Sequence, residues 1–578
     1  MQASDFIQDH VAATLRRLAP TLVSGPESAE LLAGAARWFS IPGGNVVFRK
    51  SDPSNTVFLV ISGLIAVVMN GPDGGERIIS RLGPGEVFGE MGCITGQPRT
   101  ATVRAIRSSE VLEITLSDVQ RISARDPGIL LSICRTVVNR LALAQDGRSA
   151  TFQPSTFAII TAGDGGDEQQ FAESFKEALE KFGIAFLMTP AAGQGTTSDD
   201  LNRIEKAHKY VVYLTDKNNP SWTNRCIGQA DMVLVYARGG QLPQPLYKTG
   251  IAIGPDIPIV LILEWAPHVQ PHNTAEWIRA TGASRHYHVR SVANVRRVAR
   301  LLTGNGFGLV LSGGGARGLA HIGVGHALKE NGIEIDVVMG TSIGAIIGSG
   351  IALEWDQEFM HEKIRQFISL SPLWDVAIPR TSILAGRNIR RSLNRWFGEL
   401  RIEDMPTPYA CISTNLSAGV LAVHKSGDLK TWITASAALP GIFPPVEVDG
   451  QLHVDGGVLN NMPADKIREA GAGFVLGIDV GADAVPASNL PNSVETKLNL
   501  LELLVRVGSI GDGALASTRR KHCDVLIIPN VSSVGLLNFK AYKQAIEAGF
   551  SATVERMAEI SKAIPVPPSP ETMADRLL

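Results

Sequence analysis

The chain has 578 residues, 44% of them hydrophobic and 19% charged, a balance that supplies ordinary packed cores and excludes a largely disordered chain. Its 54 basic and 56 acidic residues leave a net charge of −2, without the lysine and arginine excess of a globally basic nucleic-acid binder. The cysteines, Cys93, Cys134, Cys226, Cys411 and Cys523, are scattered and odd in number, which suits a reducing compartment and no disulfide framework or metal clamp. Met1 to Pro20 contains acids and no apolar core, so no signal peptide is expected. No apolar run approaches the roughly 18–20 residues a spanning helix needs. The expectation is a cytoplasmic chain that at most lies on a membrane surface.

From about Phe39 to Ile114, the short strands NVVFRK, TVFLVI, GLIAVVMN, RIISRL, TVRAI and VLEIT alternate with glycine turns, the pattern of a sandwich or barrel. A helical stretch runs from Ser117 to about Gln145, with Val119, Ile122, Ile129, Ile133 and Val137 at helical spacing. Between about Phe157 and Arg300, the apolar runs FAIITAG, AFLMT, YVVYLTD, MVLVYA and IPIVLILE flank amphipathic segments, as in a parallel sheet covered on both faces. Arg296, Arg297 and Arg300 read as a solvated helix face. The third region, from about Thr303 to Gly549, opens as strand, glycine turn, helix, strand, tight turn, helix, and is again α/β. Within it, Phe367 to Phe397 mixes Ile368, Leu370, Leu373 and Trp374 with Arg380, Arg387, Arg390, Arg391 and Arg395. The segment reads as an amphipathic helix packed on its domain with solvated arginines; contact with anionic lipid is the alternative. The expected division is 1–150, 151–300 and 301–550, with a loose proline-rich tail over 551–578.

The sharpest motif is Gly340-Thr341-Ser342-Ile343-Gly344, set between the apolar strand Ile335–Met339 and the apolar helix that starts at Ala345. That is the strand–turn–helix setting of a nucleophile elbow: Gly340 and Gly344 remove clashing Cβ atoms, and Ser342 is left exposed at a sheet edge. Leu311-Ser312-Gly313-Gly314-Gly315-Ala316-Arg317-Gly318 also joins a strand to a helix. The amides of Gly313, Gly314 and Gly315 can line an oxyanion site, and Arg317 can brace the loop or meet an anionic head group. Gly313, Gly315 and Gly318 also fit a dinucleotide fingerprint, but the next strand turns into the elbow instead of ending in the acid that fingerprint wants.

Ser342 needs a base. Beyond it lie His361, His424, His453 and His522, none in an obvious glycine-supported loop after a strand, with His453 the nearest to one. Asp455 does sit so: QLHVD runs into Gly456 and Gly457. A Ser342–Asp455 dyad is open if burial raises the Asp455 pKa, and a plain turn aspartate is the alternative.

GGGARG, GTSIG and DGG, in this order and spacing, resemble a patatin-like phospholipase domain over about Leu302 to Gly549. The resemblance implies a dyad of Ser342 and Asp455, an oxyanion loop of Gly313, Gly314 and Gly315, and a substrate-side segment at ASAALPGIFPPV, Ala435 to Val446. In the first region, GPGEVFGEM and QPRTA resemble the phosphate-binding cassette of cyclic nucleotide-binding β-rolls. There Gly89 and the following helix N-terminus would face the cyclic phosphate, Arg99 would pair with it, Glu90 would accept from the ribose 2′-hydroxyl, and Thr100 would add a hydroxyl contact. With SWTNRCIGQADMVLVYA in the middle, the whole arrangement resembles the neuropathy target esterase family. The fold expected is therefore multidomain: an N-terminal β-roll with helices, a middle α/β linker domain and a C-terminal α/β patatin-like domain. The function implied is hydrolysis of lysophospholipid or phospholipid acyl esters without a metal, with cAMP or cGMP as a regulatory ligand and transient membrane-surface contact. An acyltransferase using the same acyl-enzyme, or a cyclic-nucleotide sensor without hydrolysis, remain as alternatives. No nucleic-acid partner is expected.

Overall fold

The computed structural model of the chain describes residues 9–564 except 10, 17, 20–25, 71–74, 146–152, 164–165, 244, 247–250, 252, 370–374, 376–380 and 482–515. Leu370, Leu373, Trp374, Arg380 and residues 565–578 therefore lie outside the described residues; the expected loose tail over 551–578 is corrected, since helices Tyr542–Glu555 and Met557–Ala563 pack there with Thr553 and Ile560 buried. By internal packing the chain falls into two compact units, one running mainly to Tyr236 and the other mainly from Arg285.

In the first unit, a β-roll forms from two antiparallel four-stranded sheets. One orders Arg37–Ile41, Ser109–Thr115, Thr56–Ser62 and Val87–Phe88; the other orders Val46–Phe48, Thr102–Ala105, Ile65–Asn70 and Glu76–Leu82. Their inner faces bury Phe58, Val60, Ile65, Phe88, Val103 and Val111. Helices Leu116–Ser123 and Pro127–Gln145 follow where the apolar spacing placed one helical stretch. Pro127 divides that stretch, because proline is tolerated only in the first turn of a helix. The α/β part of this unit sets four parallel strands in the order Ala185–Met188, Tyr210–Leu214, Thr156–Thr161 and Met232–Arg238. Arg107, 3% exposed, pairs with Asp231 at 2.6 Å and with Glu205 at 2.9 Å.

The second unit is built on an eight-stranded sheet. Its path runs Val446–Val448, Gln451–Asp455, Tyr409–Asn415, Val337–Thr341, Gly306–Leu311, Ala472–Ile478 and Val525–Ile527, with Val420–His424 paired to Tyr409–Asn415 off that path. The central strands are parallel and buried on both faces, which explains their unbroken apolar runs. Helix Val292–Leu302 precedes the sheet and corrects one expectation: of its three arginines only Arg296 is exposed. Arg300 bonds Asp336, a fully buried carboxylate, at 2.7 and 2.8 Å, and the more buried Arg297 donates to the Pro406 carbonyl. Asp336 also accepts the Phe307 N–H, so these arginines serve a buried acid at the base of the sheet.

The pairing of a single strand positions the candidate site. Tyr409–Asn415 has only two edges and three partners. Val420–His424 pairs with residues 411–415, so it holds one edge. Val337–Thr341 pairs in parallel with residues 409–412, and Gln451–Asp455 pairs antiparallel with residues 413–415, so these two share the other edge. They enter one lane from opposite ends and stop at neighbouring positions, Thr341 opposite Ile412 and Asp455 opposite Ser413.

Candidate active site

Ser342 follows Thr341 at the end of that lane. It has φ 57° and ψ −123°, a strained conformation for a residue with a Cβ. Two glycines make the turn sterically feasible. A Cβ on Gly340 would stand 2.3 Å from the Gly344 carbonyl oxygen, and one on Gly344 would stand 2.3 Å from the Leu311 carbonyl oxygen. Helix Ile343–Ala352 begins at once, so its N-terminal partial charge lies against the serine. The Ser342 N–H donates to Ser436 Oγ at 3.0 Å, tying the elbow to the segment Ala435 to Val446.

Asp455 arrives from the other end of the lane, 2% exposed. Gly456 must lack a Cβ, since one would meet the Ile412 carbonyl oxygen at 2.6 Å. Asp455 Oδ1 accepts from the Gly457 N–H at 2.8 Å. Burial pushes the carboxyl up to about 6, against the opposing pull of the Ser342 hydroxyl and the Gly457 N–H. Oδ2 is buried and meets no partner at full hydrogen-bond geometry among the described residues, although the Ser342 hydroxyl is close enough to lower the carboxyl pKa. Loose contacts of this kind are ordinary in a site without substrate.

The glycine loop lies beside Ser342: a Cβ built on Gly313 would stand 3.0 Å from Ser342 Cβ. Its donors divide. The Gly313 N–H is given to Asn461 Oδ1 at 3.0 Å, while Asn461 Nδ2 donates to the Gly313 carbonyl at 3.2 Å. Among the described residues this leaves the Gly314 and Gly315 amides without an acceptor, and so available. Gly315 has φ +56°, where a side chain would also strike the Leu536 carbonyl oxygen at 2.3 Å. Arg317 donates through Nε to the Val534 carbonyl at 2.9 Å, and the Ala316 N–H reaches the Leu536 carbonyl at 2.7 Å, so this arginine braces the loop. Beneath the loop, His321 is fully buried with Nε2 2.9 Å from the Ser312 carbonyl, and burial lowers its pKa to about 4, so it is neutral.

The histidines downstream of Ser342 do not bond it among the described residues. His453 Nδ1 lies 2.9 Å from Ser413 Oγ, and His424 Nε2 lies 2.7 Å from the same hydroxyl. Trp432 stacks on His424 at 3.7 Å between centroids, and burial lowers both imidazole pKa values. Sequence reading missed Asn461, Ser436, the Val534–Leu536 clasp and this Ser413 cluster. Each rests on contacts distant in sequence; Asn461, in the run after DGG, and Ser436, inside the segment Ala435 to Val446, lay close to recognised motifs.

In the roll, Gly89 (φ +80°), Glu90 and Arg99 come together, Glu90 and Arg99 each 4% exposed. Arg99 Nη1 donates to the Gly89 carbonyl at 2.7 Å and Nη2 to Thr56 Oγ1 at 2.8 Å, while the guanidinium carbon stands 4.1 Å over the Phe48 ring. Its buried Nε has no partner among the described residues, and burial lowers its pKa. Thr100 is exposed and apart from this inner group. An orphaned guanidinium nitrogen beside a left-handed glycine fits an anion anchor, one that must exchange its present internal acceptors for a phosphate.

Comparison with known proteins bears on all three regions. Residues 309–467 match the patatin-like phospholipase family, 38–126 the cyclic nucleotide-binding domain, and 191–305 the neuropathy target esterase family P-loop-like domain. The class is thus a multidomain patatin-like phospholipase-domain chain with a cyclic nucleotide-binding β-roll. Patatin-like phospholipase domain-containing protein 6 of Mus musculus is 30% identical over 520 residues, covering 78% of this chain and 38% of the relative. Protein 7 of the same animal is 30% identical over 521 residues with the same coverage. Neuropathy target esterase sws of Drosophila melanogaster is 28% identical over 515 residues, covering 78% of this chain and 36% of the relative. The chain carries the patatin-like, cyclic nucleotide-binding and neuropathy target esterase P-loop-like domains, is similar to these relatives over 78% of its length, and spans less than two-fifths of theirs.

Two expectations follow from the geometry. Asp455 has a folded pKa above its unfolded value, so the native state carries a buried charge above about pH 6 that is absent below about pH 4. Stability therefore falls as pH rises through that window, and Asp455→Asn should stabilise the second unit by about 3 kcal/mol at pH 8, with the gain vanishing near pH 4. Thermal melts of both chains across pH measure this. Asn461→Ala should slow labelling of Ser342 by a fluorophosphonate probe about ten- to hundredfold, since a small shift of the loop misplaces its donors. Unchanged labelling would remove Asn461 from the site's machinery.

Proposed function

We propose that this chain is a serine esterase that hydrolyses acyl esters of lysophospholipids or phospholipids, with Ser342 as nucleophile and Asp455 as base. The observation that carries the reading is the shared lane, which brings a strained, half-buried serine and a buried carboxylate of raised pKa end to end. Ser342 Oγ attacks the acyl carbonyl and its proton passes to Asp455. The negative oxygen of the tetrahedral intermediate is held by the Gly314 and Gly315 amides, with the partial charge of helix Ile343–Ala352 adding to them. Collapse expels the glycerol-side oxygen, which takes the proton from Asp455. A water then gives its proton to Asp455 and attacks the acyl-enzyme, and fatty acid leaves as Ser342 regains its proton. A carboxyl pKa near 6 suits this double duty, because the group is ionised at neutral pH and still basic enough to accept a proton. The chemistry uses no metal.

In the same reading, 1–150 is the regulatory β-roll, 151–300 the linker and 301–550 the catalytic domain. The roll takes cAMP or cGMP, its cyclic phosphate on Arg99 and the amides near Gly89, and its ribose on Glu90.

Free fatty acid release from lysophosphatidylcholine tests the first part. Ser342→Ala and Asp455→Asn should each lower turnover by about 10³-fold or more, while His453→Ala and His522→Ala retain activity. Native kcat/KM should rise about tenfold per pH unit below about 6 and level off above it, as Asp455 ionises. An essential histidine would end the dyad reading. For the roll, saturating cAMP or cGMP should raise the melting temperature of the native chain and leave Arg99→Ala unmoved, a stabilisation of about 2.7 kcal/mol at a hundred times Kd. Indifference to both nucleotides would end the regulatory reading.

A further inference from the structure

Two exposed features of the second unit are tied to the chain around Ser342. The first is the turn between Tyr409–Asn415 and Val420–His424. Tyr409–Asn415 runs parallel to Val337–Thr341 and continues past its end, so the turn projects from the edge where Ser342 stands. Leu416 is 54% exposed, Val420 52% and Leu452, on the adjoining strand, 39%. The Leu416 N–H donates to the Leu452 carbonyl at 2.7 Å, and the Leu452 N–H to Ser417 Oγ at 3.0 Å, so the tip is a built structure. Residues 416–420 carry no charge. Asn415 pairs with both Val420 and His453, so Leu416 and Leu452 occupy one face of the ladder and Val420 the other. Apolar side chains on both faces of one projecting tip suit insertion into a fluid apolar medium better than docking against one flat protein face.

The second feature is helix Arg387–Phe397. It buries Ser392, Leu393 and Phe397 and exposes Arg387, Arg390, Arg391 and Arg395, with no acid in its sequence. Asp375 pairs with Arg387, leaving the other three without an ion pair among the described residues. The helix start is fastened to the segment leading away from Ser436: Leu384 N–H donates to the Ile442 carbonyl at 2.9 Å, and a Cβ on Gly386 would stand 3.6 Å from the Phe443 ring. The arginine face and the elbow are thus braced by one stretch of chain. The exposed acids Glu399, Glu447 and Asp449 lie nearby in sequence or register, and Glu399 is paired with Lys430.

We propose that the tip Leu416–Val420 with Leu452, together with Arg390, Arg391 and Arg395, is a docking surface for an anionic phospholipid layer. The tip enters the acyl region and the arginines meet the phosphates, so an acyl ester is delivered to the edge that carries Ser342. The inference deepens the esterase reading, but docking itself is measurable without turnover.

Sedimentation of the full-length Ser342→Ala chain with vesicles tests it, using pure phosphatidylcholine and phosphatidylcholine with 30% phosphatidylglycerol. Binding should favour the anionic vesicles and weaken as salt rises. Arg390→Gln/Arg391→Gln/Arg395→Gln should lower partitioning on the order of a hundredfold, about fivefold per charge. Leu416→Ser/Val420→Ser/Leu452→Ser should lower it on both vesicles. The same substitutions with Ser342 restored should leave turnover of a short soluble ester unchanged, which shows the fold intact. No binding to anionic vesicles at low salt, or variants that bind as the native chain does, would overturn the proposal. So would self-association that the variants abolish while vesicle binding persists, which would assign the surface to a second copy. Failure of the esterase reading appears separately, as absent soluble-ester turnover by the native chain.

Discussion

The candidate site depends on one constraint of sheet pairing: a strand has two edges. Because Val420–His424 occupies one edge of Tyr409–Asn415, the strand leading to Ser342 and the strand leading to Asp455 must divide the other. Hydrogen bonding along that lane sets where each strand stops, to within a residue. Two groups 113 positions apart in the chain are thereby placed by backbone ladders, with no flexible side-chain partner between them. Sites built on strand ends hold their geometry better than sites on free loops.

The same arrangement supplies the electrostatics. An aspartate is a weak base in water, and burial changes that by making its charged form costly. Asp455 is 2% exposed, and no charged group among the described residues contributes to its shift. The imidazoles of His424 and His453 share the Ser413 hydroxyl and are kept uncharged by burial, so they do not draw the carboxyl pKa back down. Among the described residues, the Ser342 hydroxyl and the Gly457 N–H are the groups that favour the carboxylate. The cost of a buried charge in the native state is thus the source of the basicity the proposed dyad needs, a trade of stability for function in that reading.

The roll uses a comparable device with the opposite charge. Arg99 is held inside by the Gly89 carbonyl, Thr56 and the Phe48 face, and keeps one nitrogen unpartnered among the described residues. A ligand phosphate would compete with acceptors already in place, so affinity there is a difference between two sets of hydrogen bonds. In both units, motifs conspicuous in the sequence coincide with buried ionisable groups that the fold leaves incompletely satisfied.

Much of the fold is legible in the amino-acid sequence. The apolar runs of the middle and third regions form buried parallel strands, and the glycine-punctuated strands form a roll, because period and punctuation are local properties of the chain. The elbow is legible for the same reason: Gly340, Ser342 and Gly344 lie within five residues, and the steric demand that selects them is local. The arginines of Val292–Leu302 are misjudged from sequence because helical spacing shows a face without showing what lies opposite, here the buried Asp336. Asn461, 148 residues from the Gly313 peptide it clasps, cannot be inferred from spacing. The sequence alone determined the order of the matched regions, the tight turn at Ser342 and the chemical types available to the site. Tertiary structure decided which amides remain free, which histidines are neutral bystanders and why Asp455 is basic, because these depend on burial and on partners that only folding brings within bonding distance.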